Sequence, residues 1–202
     1  MIIVISPATI IAKETELVND MLGNGLDLFH IRKYELEDSL VIKYLEAIHP
    51  NFRNKIVLQS HKHLAEKMEI SRLHFNTMDR NNMSDFVNFQ GMCLSTSTHS
   101  IEEFNHLDGY WNYAFLSPAY KSISKLGYGK YNTVLSDFQF KQNDAVQLIG
   151  LGGIRYQNME QVYNYGADGI ALMGAIWNES NPVEYLSACK QKEIMWKGKQ
   201  YG

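Results

Sequence analysis

Apolar residues along this chain fall into short, β-branched runs separated by stretches with a helical period. The first run is IIVIS at residues 2–6. LFHIR (28–32), KIVLQS (55–60), RLHFN (72–76) and MCLSTS (92–97) follow, then YAFLSP (113–118), VQLIGL (146–151) and GIALMG (169–174). Several show little alternation, as strands buried on both faces do. Between them lie helical patterns. EDSLVIKYLEAI sets Leu40, Val41, Tyr44, Leu45 and Ile48 on one face with charges opposite. In HSIEEF, Ser100 and Glu103 stand three apart, as in a capping box. Asn158 and Gly166 bracket another helix as N-cap and stop, and Pro182 after Asn181 opens the last one.

Eight strands alternating with helices predict a small, single-domain (β/α)8 barrel over residues 1–194, with a doubly wound open sheet as the alternative. The loops are short, one helix near 79–87 is degenerate, and 195–202 reads as a loose tail.

Composition narrows the function. The 202 residues carry a net charge of -3, so nothing draws the whole molecule to nucleic acid or an anionic membrane, and any anion site must be local. Cys93 and Cys189 alone make neither a disulfide framework nor a metal cluster. The opening MIIVIS is too short for a membrane span and lacks the basic lead-in of a signal peptide, so a cytoplasmic protein is expected.

In a barrel the chemistry sits at the C-terminal ends of the strands. Reading those ends gives Arg32, Ser60, Asn76, Ser97, Ser117, Gly152 with Gly153, and Gly174, a polar and glycine-rich ring. Glycines at the ends of strands seven and eight let backbone N–H groups approach a phosphate. Arginine's planar fork at position 32 suits a diphosphate. Ser122, Ser124 and Lys125 offer two hydroxyls and an ammonium, a set that suits an anion. His30, His74 and His99 fall in or just after strands, where a structural role is the simpler reading. No Ser/His/Asp order, H-E-x-x-H or Cys/His metal spacing is present.

FHIRKYE, LQSHKHLA, RLHFNTMD, STSTHS, LSPAYKSISK, GLGGI and GADGIALMGAI, in that order, resemble the thiamine phosphate synthase and thiazole tautomerase family over nearly the whole chain. The resemblance implies a barrel that joins an aminopyrimidine diphosphate to a thiazole phosphate, releasing pyrophosphate with Mg²⁺ as cofactor. It implies that His30, Arg32 and Tyr34 belong to the diphosphate-binding strand end, with Arg32 as clamp. Gln59 would contact the pyrimidine, Ser97 and Lys125 the pyrophosphate, and Ser122 and Ser124 the thiazole. Gly152, Gly153, Met173 and Gly174 would cradle the thiazole phosphate, and Asp79 and Ser60 stand at the metal positions.

Three departures fall on the metal and diphosphate side. Gln59-Ser60 replaces an Asn-Asp pair, so a hydroxyl stands where a hard dication prefers a carboxylate. Arg32-Lys33-Tyr34 replaces Arg-x-Lys, and strand alternation turns Lys33 to the other side unless the loop has already turned. Asn76-Thr77 replaces Gly-Gln. Three functions follow: the synthase, a tautomerase needing only the phosphate cradle, or a thiazole-phosphate-binding protein without chemistry. Pro118 stands where the tautomerase branch carries a histidine, which favours the synthase. The expected partners are small phosphates and diphosphates, with a homodimer open as the assembly and neither nucleic acid nor membrane.

Overall fold

A computed structural model describes residues 1–82, 89–120 and 133–200. Eight parallel strands close into a barrel in chain order. They are β1 (Ile2–Ile5), β2 (Leu28–Ile31), β3 (Ile56–Leu58), β4 (Arg72–Phe75), β5 (Cys93–Thr98), β6 (Trp111–Leu116), β7 (Gln147–Leu151) and β8 (Gly169–Leu172). Pairing of Ile2 with Ile170 and Val4 with Leu172 seals the ring. All eight expected strands are present, and the closed barrel excludes the open sheet.

The period-2 pattern of each strand sorts its side chains between two cores. Ile3, Ile5, Leu28, Val57, Tyr113, Phe115, Ile149 and Ala171 fill the barrel interior. Ile2, Val4, Phe29, Ile31, Ile56, Leu58, Leu148 and Leu172 face the surrounding helices. A bulge resets this alternation in β6: the register shifts after Leu94, and Asn112 steps out to accept a hydrogen bond from the Leu94 N–H at 2.7 Å. Trp111 thereby joins the outer core while Tyr113 points inward.

The helices are α1 (Glu14–Gly23), α2 (Asp38–Glu46), α3 (Thr77–Asn81), α4 (Ile101–Asn105), α5 (Met159–Asn164), α6 (Gly174–Trp177) and α7 (Pro182–Gln200). Ser100 caps α4, its hydroxyl accepting the Glu103 N–H at 3.1 Å. Asn181 caps α7 with Pro182 in its first turn. Asn158 precedes α5, but its side chain bonds the preceding loop instead, accepting from the Arg155 N–H and donating to the Gly153 carbonyl.

Two expectations are corrected. Leu40 lies outside the buried stripe of α2 and is exposed, while Val41, Tyr44, Leu45 and Ile48 carry the packing. The tail expected to be loose from residue 195 continues α7 as far as Gln200. Among the described residues, no helix is long and apolar enough to cross a membrane.

Candidate active site

Parallel strands put all eight C-terminal ends on one side, and a cavity of about 340 Å³ opens there. Arg32, Gln59, Ser97, Gly152, Gly153, Met173 and Gly174, drawn from five strand ends, all line it. Each continues the inward-facing parity of its strand or begins the loop beyond it. Met78 and His99 also line the cavity. The sequence gives no period for either, since both sit where strand has already given way to helix or turn.

On the β7–β8 side the wall is backbone. Gly152 has φ +100 and Gly153 φ +65, a region that side chains disfavour. A Cβ on Gly152 would stand 3.1 Å from the Cα and Cβ of Pro118, so glycine is required there twice over. The loop is fixed by the Ala119 N–H on the Leu151 carbonyl at 2.8 Å and the Tyr120 N–H on the Gly152 carbonyl at 2.9 Å. At β8, α6 begins at Gly174; the Ile176 and Trp177 N–H groups donate to the Met173 carbonyl, and those of Gly174 and Ala175 have no backbone acceptor among the described residues.

Below the mouth lies a polar column within an apolar barrel. His74 bonds Ser95 Oγ through Nδ1 and Ser97 Oγ through Nε2, both at 2.9 Å. His30 bonds the Tyr113 hydroxyl through Nε2 at 2.8 Å, and its Nδ1 has no partner. Burial pushes the His30 pKa down to about 3. It holds His74 well below the ordinary histidine range too, and the proximity of His30 and of the Lys62 ammonium lowers it further. Both rings are therefore neutral. His30 sits beneath the site rather than in its lining.

Gln59 points inward at the end of β3, 8 % exposed, and its carboxamide oxygen has no partner among the described residues. A buried orphan acceptor costs free energy unless something donates to it. The Arg32 guanidinium stacks over the Tyr34 ring at 5.5 Å, leaving its donors free of hydrogen bonds among the described residues.

The residues expected at the metal do not converge on one. Ser60 follows Gln59 and has the opposite parity, so it faces away from the cavity and is buried. Its hydroxyl accepts from the Lys33 N–H and lies 2.9 Å from His61 Nδ1, with the Ile31 carbonyl at 3.4 Å. It ties β3 to β2 from the side turned away from the cavity, which corrects the expectation that it ligates Mg²⁺. Asp79, in α3, is held by the Lys62 ammonium at 2.7 Å. Among the described residues no group of three or more His, Cys, Asp or Glu could hold a metal ion. The residues present do not fit a protein-held magnesium. Lys33 is fully buried on the outer side of β2, bonded to Glu14 Oε1 at 2.9 Å and to the Pro7 and Thr9 carbonyls. It supplies no cation to the mouth. Ser122, Ser124 and Lys125 lie outside the described residues.

With this architecture the family can be tested directly. The model of the family described as thiamine monophosphate synthase matches residues 1–176. The chain belongs to that family. The thiamine-phosphate synthase of Staphylococcus haemolyticus is 24 % identical over 180 residues, covering 82 % of each protein. That of Flavobacterium psychrophilum is 21 % identical over 192 residues, covering 89 % of this chain and 93 % of its own. The crystal structure of thiamine phosphate pyrophosphorylase from Bacteroides thetaiotaomicron superposes with a TM-score of 0.78 at 23 % identity, over 96 % of this chain and 98 % of that one. The thiamine phosphate pyrophosphorylase from Pyrococcus furiosus gives 0.79 at 14 % identity, with 96 % of each chain covered. For this thiamine monophosphate synthase family member, those structural likenesses establish the barrel, and the chemistry has to be argued from the cavity.

Proposed function

We propose that the protein is a thiamine phosphate synthase, joining an aminopyrimidine methyl diphosphate to a thiazole phosphate. The observation that carries this is Gln59: a buried carboxamide oxygen, unpartnered, in the wall of the cavity that Gly152, Gly153 and Gly174 complete from the far side of the ring. An aminopyrimidine donates an exocyclic N–H to such an oxygen. The glycine wall takes the phosphate of the second substrate on backbone N–H groups. A two-ended cavity fits a two-substrate joining reaction.

In that reaction the carbon–oxygen bond to the diphosphate breaks and its electron pair leaves with pyrophosphate. The thiazole nitrogen lone pair then forms the new carbon–nitrogen bond. Arg32 stabilises the departing charge through guanidinium donors that have no acceptor among the described residues. By resemblance, Ser97 and Lys125 contact the diphosphate and Ser122 and Ser124 the thiazole.

The test is to incubate the full chain with both precursors, with and without Mg²⁺, and to follow thiamine phosphate and pyrophosphate together. Equal amounts of the two products support the synthase. Absence of both, with conversion of a thiazole tautomer in a parallel assay, replaces it by the isomerase. A thiazole phosphate that binds without any turnover leaves a binding protein.

A further inference from the structure

Lys62 occupies a position that neither the motifs nor the periodicity single out. Its ammonium donates to Asp79 Oδ2 at 2.7 Å and to the Gln59 carbonyl at 3.4 Å. The Tyr34 hydroxyl donates to the same carbonyl at 3.2 Å. Lys62 and Tyr34 thus converge, from the ends of β3 and β2, on one acceptor. Tyr34 in turn lies under the Arg32 guanidinium. The lysine stem passes over Phe75, with Nζ 5.1 Å from the ring centroid, and a quarter of the side chain is open to solvent (24 % exposed). An ammonium has three donors, and two are taken. Among the described residues the third has no acceptor, and it is open to a ligand at the rim, beside Gln59 and Asn76 of the cavity wall.

We propose that Lys62 stands in for a protein-held magnesium, bridging Asp79 to a diphosphate oxygen while Arg32 holds the same group from β2. The inference rests on the synthase reading above. Magnesium in such sites is held by one or two carboxylates plus substrate phosphates. Here Ser60 is turned away from the cavity, and the carboxylate at the other metal position, Asp79, already has a cation at hydrogen-bond distance. A dication on Asp79 would meet the ammonium at close range and be repelled. Lys62 also restores a positive charge at the place where position 34 carries tyrosine. One cation thereby answers two departures seen in the sequence.

Calorimetry of the full chain with inorganic pyrophosphate, in EDTA and in Mg²⁺, tests this. The parent should bind in EDTA, and Mg²⁺ should change the affinity little. Lys62→Met keeps the stem over Phe75 and should weaken binding in EDTA by about tenfold or more, the scale of one charge-assisted hydrogen bond. Asp79→Asn releases the ammonium and removes a like charge from the ligand, so binding in EDTA should tighten. A metal site at Asp79 predicts the reverse: no binding by the parent in EDTA, and loss of Mg²⁺-dependent binding in Asp79→Asn. Either result overturns the proposal, as does absence of binding in both buffers. Circular dichroism confirms that the variants fold, and the sign of the Asp79→Asn effect stands without Lys62→Met. Failure of the synthase reading shows separately, as absence of thiamine phosphate from the two precursors.

Discussion

His74 holds the hydroxyl of Ser97, with Nε2 2.9 Å from Ser97 Oγ, and so sets what that hydroxyl presents to the cavity. Ser95 Oγ lies 2.9 Å from Nδ1 of the same ring and donates to the Leu73 carbonyl at 3.2 Å. A hydroxyl has one proton, so Ser95 accepts from Nδ1–H, and Nε2 is left to accept the proton of Ser97. In the free protein Ser97 therefore turns lone pairs to the cavity. To donate to a diphosphate it must release that proton, and the ring must move its own from Nδ1 to Nε2. ¹⁵N NMR of His74 should show a neutral Nδ1–H tautomer alone and an Nε2–H tautomer with pyrophosphate bound. An unchanged tautomer in the presence of bound pyrophosphate removes Ser97 from the diphosphate contacts.

The neutral histidines make stability depend on acid. His30 has a folded pKa of about 3 against an unfolded value near 6.5. The unfolded chain binds the proton between those values, so the stabilisation is complete above about pH 6.5 and falls as the pH drops below it. His74 shifts in the same direction and adds to the slope. Urea unfolding at steps from pH 7 to pH 4.5 should show this decline. His30→Asn should be less stable at pH 7 and its decline shallower, by up to about 1.4 kcal/mol per pH unit. Identical slopes in the two proteins would mean that His30 is not buried neutral.

Lys33 and Glu14 are both fully buried, and Glu14 Oε1 also accepts the Tyr44 hydroxyl at 2.7 Å. Removing one charge strands the other in an apolar wall. Lys33→Met should cost about 3–5 kcal/mol in urea unfolding, and Lys33→Met with Glu14→Gln should recover much of it. If the single variant is as stable as the parent, the pair is hydrated rather than buried.

The glycine wall should be intolerant of a single methyl group. Gly152→Ala combines a positive φ with contacts of 3.1 Å to Pro118. It should destabilise by more than about 1 kcal/mol and displace the Gly153 N–H, weakening thiazole phosphate binding measured by calorimetry. Gly153→Val should weaken the same binding. Undiminished affinity in both would place the phosphate elsewhere.

Much of this protein is legible in its sequence, because strand and helix periods are local properties. The eight apolar runs, the caps at Ser100 and Asn181, and the glycines at the ends of β7 and β8 all follow from residue type and spacing. Alternation points Lys33 away from the mouth provided the chain has not yet turned, which the structure bears out, and the same rule turns Ser60 outward after Gln59. Taking Ser60 as the end of strand three, rather than following the alternation from Val57 to Gln59, put it in the ring at the mouth. What the tertiary structure decided are relations between distant segments. Leu40 fits the apolar stripe of α2, yet the neighbouring elements leave it uncovered. The column of His74, Ser95 and Ser97 exists because two adjacent strands align at one height in the barrel. The meeting of Lys62, Asp79 and Tyr34 joins the segments that follow β3, β4 and β2, whose directions are set only when the ring closes. Side-chain period fixes which face of a strand a residue occupies, but barrel closure fixes which residues share a height on that face, and the charges at the mouth depend on the second.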